Sequence, residues 1–143
     1  WDAEPYYDNR GMFSALPFLE SKEVAMSFCR RGVLKGIHGD HENCKVLSCV
    51  FGCIYHVAVD VERCEWLASG LVPGGLSVML QPGLGSAVFA EEDSVLIYQQ
   101  SHGYVGAEKQ FTYAWDDPAF GIEWPITKRP ILSLRDRAAR RIQ

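Results

Sequence analysis

Within the stretch KGIHGDHENCK, from Lys35 to Lys45, two histidines, two carboxylates and two lysines crowd into eleven residues. Three kinds of chemistry fit this mixture. A histidine with an ordinary pKa near ~6.5 offers a neutral ring that accepts a proton at cellular pH. A lysine beside it can hold negative charge developing on an oxygen. Alternatively, His38, Asp40, His41 and Glu42 supply nitrogen and oxygen ligands for a metal, with His56 able to join from a neighbouring strand. The third reading is a solvated turn between strands, which Asn43 would help to make. Spacing weighs on these readings. His38 and His41 are three apart, so on a strand they face opposite ways and converge only if the chain turns sharply. Lys45 opens an apolar run in which Leu47 and Cys49 face inward by alternation, and an inward lysine is costly unless it meets a wet pocket.

The elements that must carry these groups read as strands. Apolar and β-branched runs occur at 32–37, 45–61, 76–81, 86–90 and 94–100, separated by Gly39, Gly52, the PGG of 73–75, PGLG at 82–85 and the acidic turn at 91–93. The long run 45–61 is expected to turn at Phe51-Gly52 into the two strands of a hairpin. Residues 13–21 suggest a short turn or helix limited by Pro17. Near the C-terminus Ser133-x-x-Asp136 reads as a capping box opening a short helix, with arginines toward its end. One mainly β domain, 1–143, is expected, built as a sandwich or barrel.

At 143 residues, 48% of them hydrophobic and 12% aromatic, the chain can bury a core of its own. A net charge of −4 argues against nucleic acid as partner and leaves room for a small anion held by a local cationic cluster. No window approaches the ~20 apolar residues of a membrane helix, and no segment reads as a secretory signal. The five cysteines, with no C-x-x-C pair, are expected as free thiols in a reducing cytoplasm.

Several motifs, in order, cover most of the chain: DNRGMF (8–13), SFCRRGVLKGIH (27–38), KVLSCVFGCIYHVAVDV (45–61), QPG (81–83), L-x-Y (96–98), WDDPAFGIEWP (115–125) and ILSLRD (131–136). Their combination resembles the cupin-fold nucleotide-sugar 4-keto epimerases, typified by dTDP-4-keto-6-deoxyglucose 3,5-epimerase. HGD at 38–40 and QFTYAWDD at 110–117 are similar to the branch acting on GDP-4-keto-heptoses for bacterial capsules. The resemblance implies a jelly-roll β-barrel or sandwich with a short C-terminal helix, a cytoplasmic homodimer, and a dTDP- or GDP-linked sugar as ligand. It also implies C3 and/or C5 epimerisation beside a C4 ketone for surface polysaccharide, with neither metal nor cofactor.

By the same resemblance His38 is the catalytic base and Asp136 the carboxylate that orients it. Lys45 steadies the enolate and Tyr98 is the general acid. Lys35, Tyr104, Arg10 and Phe13 contact the substrate, Lys35 standing where the family usually has arginine. Bland readings compete. Tyr98 alternates with Leu96 and Gln100 like a core tyrosine, and Asp136 is already explained by helix capping. Departures from the pattern are also plain. No histidine follows PGLG, His56 replaces an aspartate, and the segment after Asp60 is shortened. A metal-dependent cupin enzyme and a catalytically silent sugar- or nucleotide-binding cupin are the alternatives these departures leave open.

Overall fold

The computed structural model describes residues 4–17 and 19–142. A hairpin of β1 (Tyr6–Asp8) and β2 (Gly11–Phe13) leads into β3 (Glu23–Cys29), β4 (Leu34–Gly39), β5 (Lys45–Phe51) and β6 (Ile54–Asp60). The chain continues through β7 (Glu65–Leu71), β8 (Ser77–Leu80), β9 (Gly85–Ala90), β10 (Ser94–Gln100), β11 (Phe111–Thr112) and a single helical turn, α1 (Leu134–Arg137). Two open antiparallel sheets face each other, one ordered β3-β10-β5-β8 and the other β11-β4-β9-β6-β7. This is the expected mainly β jelly-roll sandwich with a short C-terminal helix. No helix among the described residues is long and apolar enough to cross a membrane.

Alternation explains the two cores. Leu47, Cys49 and Leu96 from the first sheet meet Ile54, Leu71, Val88 and Ala90 from the second, closing one end of the sandwich. The other set on the five-stranded sheet, Ile37, Val57, Val59 and Ala87, faces outward and is covered by Phe120, Tyr113 and Trp124. That sheet is therefore buried on both faces, which its near-continuous apolar run VAVDV already reflects.

Two expectations are corrected. Residues 45–61 do form two strands, but not a hairpin: β5 pairs with β10 and β8, whereas β6 pairs with β7 and β9. Gly52, at φ +81°, sends the chain from one sheet to the other, and a Cβ there would lie 2.2 Å from the Asp93 carbonyl oxygen. The segment after Phe13 is not helical in the described residues; Phe18 lies outside them. A side-chain amide holds it extended instead. Gln99 donates to the Pro17 carbonyl at 2.8 Å and accepts from the Leu19 N–H at 3.0 Å. All five cysteines are free.

Candidate active site

Between the sheets, at the end the apolar core does not fill, opens a cavity of about 510 Å³. His38, Lys35 and Ser86 line it from the five-stranded sheet, and Lys45, Leu47 and Tyr98 from the four-stranded one. Lys35 and His38 could not share a face on a regular strand, being three apart. They do so because the ladder to β9 slips between them: Lys35 pairs with Val88 and His38 with Ser86, so two residues of β4 oppose one of β9. Gly36 makes that bulge possible. At φ +131° a Cβ there would sit 2.5 Å from the Ala87 backbone.

His38 Nε2 lies 2.6 Å from Asp136 Oδ1. An ionised carboxylate only accepts, so this ring nitrogen carries the proton and Nδ1 is left as a bare base. Burial pushes the Asp136 carboxyl pKa up. The hydrogen bonds from His38, the Ser133 hydroxyl and the Gly36 N–H outweigh it and hold the group below its usual range. The capping and dyad readings of Asp136 are therefore not alternatives. Ser133 Oγ accepts from the Asp136 N–H at 3.0 Å and donates to its Oδ2 at 2.8 Å, leaving Oδ1 for His38. The C-terminal segment is seated by Leu34 and Ile131, whose backbone bonds run along the start of β4.

Lys45 Nζ lies 2.5 Å from Asp40 Oδ2. The turn 40–43 exists as expected, with Asp40 Oδ1 accepting the Glu42 and Asn43 N–H groups. Yet Asp40 is more than a turn residue, since it is buried and its second oxygen fixes the cavity lysine. Burial raises its pKa, and Lys45 with the two backbone donors brings it below the ordinary value. Neither the turn reading nor the metal reading of Asp40 anticipates this pairing with Lys45. His41 and Glu42 are exposed, with the His41 ring against Phe111, and no metal-ligand cluster of three or more groups occurs among the described residues.

Tyr98 lies on β10 opposite Leu47 and Ala25, and burial pushes its phenol pKa upward, so it stays protonated at neutral pH. Tyr104 also lines the cavity, from a loop pinned by Asn43 to Gly103 and His102 and by Glu23 to the Tyr104 N–H. Lys35 donates to the Ser27 hydroxyl. Arg135, a cavity residue missed in the sequence, braces its guanidinium on Thr112 and Gln110. Its place one residue before Asp136 on the helical turn was the available clue. With Lys45 already paired to Asp40, Lys35 and Arg135 against the one lining carboxylate, Glu23, make the cavity attractive to anions.

Arg10 and Phe13 are not brought to this cavity within one chain. They project from the β1–β2 hairpin, Arg10 paired with Asp8 and Phe13 73% exposed.

Residues 3–143 match the family model described as dTDP-4-dehydrorhamnose 3,5-epimerase. The enzyme of that name from Streptomyces griseus is 30% identical over 96% of this chain and 78% of its own length. The RmlC epimerase of Mycobacterium tuberculosis superposes with a TM-score of 0.89 at 26% identity, covering 98% of this chain and 81% of that one. ChmJ, a 3'-monoepimerase from Streptomyces bikiniensis solved with dTDP-quinovose, gives 0.88 at 26% identity, covering 99% and 81%. Fold, motif order and sequence match agree: the chain belongs to the dTDP-4-dehydrorhamnose 3,5-epimerase family of nucleotide-sugar epimerases.

Proposed function

We propose that this protein epimerises a nucleotide-diphospho-4-keto-6-deoxy sugar, with His38 removing the proton from a carbon next to the C4 ketone. The observation that carries the reading is the 2.6 Å His38–Asp136 bond at the wall of a cationic cavity. Asp136 fixes the ring so that Nδ1 is the base, and its charge stabilises the imidazolium formed on proton transfer. Lys45 faces the developing enolate oxygen, held in place by Asp40. Tyr98 returns a proton from the opposite sheet, and therefore from the opposite face of the ring, which is what inversion requires. Lys35 and Arg135 take the diphosphate as two separate cations, Arg135 with its planar fork.

The same reading makes the protein a homodimer in which Arg10 and Phe13 reach the partner's cavity. Its support is two exposed apolar surfaces: the edge strand β3, whose outward side chains Val24, Met26 and Phe28 are 56–71% exposed, and the hairpin with Tyr6, Tyr7 and Phe13. The nucleotide is proposed to be dTDP, on the names of the relatives and the dTDP-quinovose bound to ChmJ. GDP-4-keto-heptose, suggested by HGD and QFTYAWDD, is the competing substrate. Incubation with each 4-keto sugar nucleotide, with product configuration read from NMR coupling constants, decides between them. Inversion at C3, C5 or both in the dTDP sugar supports the proposal. Unchanged configuration in both sugars contradicts it.

A further inference from the structure

His56 sits on β6 between Ile54 and Ala58, facing the space between the sheets, and is wholly buried. Its one polar contact is with the next strand: Nε2 lies 3.1 Å from Ser86 Oγ, and Nδ1 has no partner among the described residues. Ser86 lines the cavity and stands directly across the ladder from His38. A buried imidazole therefore lies behind a cavity hydroxyl that stands in register with the base.

The protonation of this pair follows from the surroundings. Burial lowers the His56 pKa to about 4, so the ring is neutral and has one N–H. Were that hydrogen on Nδ1, an N–H donor would be buried without an acceptor, which folded proteins tolerate less readily than a bare acceptor. The hydrogen accordingly sits on Nε2 and is donated to Ser86 Oγ. A hydroxyl that accepts in this way keeps its own hydrogen free, and the open side of Ser86 is the cavity.

We propose that Ser86 donates a hydrogen bond to a sugar oxygen beside the reacting carbon, and that His56 is the positioning residue that aims it. The inference rests on the epimerase reading for the name of the reacting carbon, but not for the binding itself. Val88, the neighbour of Ser86 on the same face, is apolar and also lines the cavity, so on this wall Ser86 supplies the hydroxyl, between Val88 along its own strand and His38 across the ladder. Such a site rewards a sugar that presents an oxygen there and penalises one that leaves the hydroxyl unpaired.

The test measures affinity for dTDP-glucose and for dTDP alone by calorimetry in wild type, Ser86→Ala, His56→Leu, His56→Gln and the Ser86→Ala/His56→Leu double variant. Expected is a loss of roughly tenfold for the sugar nucleotide in Ser86→Ala, with dTDP affinity unchanged. His56→Leu should lose as much, the double variant no more than either single, and His56→Gln, which can still donate to Ser86, should recover part of it. A merely structural role for His56 would weaken dTDP and dTDP-glucose alike and multiply with Ser86→Ala. That pattern, or wild-type affinity in Ser86→Ala, overturns the proposal. If His56→Leu does not fold, Ser86→Ala and His56→Gln decide. Absence of deuterium exchange in the wild-type enzyme would count against the epimerase reading alone, because the binding comparison stands without turnover.

Discussion

The proposed chemistry rests on a few side chains whose environments assign them different protons. His38 donates its one ring N–H to Asp136 and is left basic at the other nitrogen, while Tyr98, its pKa raised by burial, keeps its phenolic proton. Tyr98→Phe preserves the ring that packs against Leu47 and removes only the donor. Turnover should fall roughly 100-fold, while exchange at the carbon attacked by His38 persists, as comparison of product formation with deuterium wash-in would reveal. Asp40→Asn keeps the acceptor for the turn and deletes the charge facing Lys45. Because Lys45 opens onto the cavity, the cost is expected below that of breaking a fully buried pair, about 2 kcal/mol by denaturant melts. Turnover should fall with it as the ammonium loses its anchor. Unaltered turnover would separate Asp40 from the site.

At the scale of elements, the five-stranded sheet does most of the positioning. The central strands of both sheets were legible because GVLKGI, KVLSCVFGCIYHVAVDV, SAVFA and SVLIYQQ are β-branched and apolar. Other elements were hidden for physical reasons. The β3 segment EVAMSFC carries its large apolar side chains outward and Glu23, Ala25 and Ser27 inward, the reverse of the usual signal. The hairpin expected at 45–61 failed because a glycine between two strands does not say whether they pair or part. The shared face of Lys35 and His38 could not follow from period two, since it depends on the bulge at Gly36. His56 gives the sheet a pH dependence. Its unfolded pKa near 6.5 exceeds its folded value of about 4, so between those values the unfolded chain binds a proton that the native one does not. Stability is complete above pH 6.5 and is lost as pH falls toward 4, by about 3 kcal/mol in all. His56→Leu should flatten that part of the stability curve in urea melts at stepped pH. An undiminished slope would assign it to other groups.

For the molecule as a whole, one chain supplies His38, Lys45 and Tyr98 to a single cavity, with Asp136 behind His38, but leaves Arg10 and Phe13 on an exposed hairpin. The motif DNRGMF marked these residues in the sequence, yet nothing in a sequence says which copy of a chain a residue serves. If they serve a partner, Arg10→Ala and His38→Ala enzymes, each inactive alone, should recover about a quarter of wild-type activity when mixed and allowed to exchange subunits. Half of the dimers would then be mixed, and each of those would hold one intact site. No recovery in a mixture whose subunits are shown to have exchanged would mean that Arg10 does not serve a partner's site.

The central claim is proton abstraction by His38 from a carbon beside the C4 ketone. It is tested most directly by incubating the enzyme with dTDP-4-keto-6-deoxyglucose in D2O and following deuterium at C3 and C5 by NMR. The account predicts uptake at one or both carbons with the wild-type enzyme and, with His38→Ala, a rate lower by roughly 1,000-fold. Uptake at neither carbon, or uptake undiminished by loss of the imidazole, would contradict it.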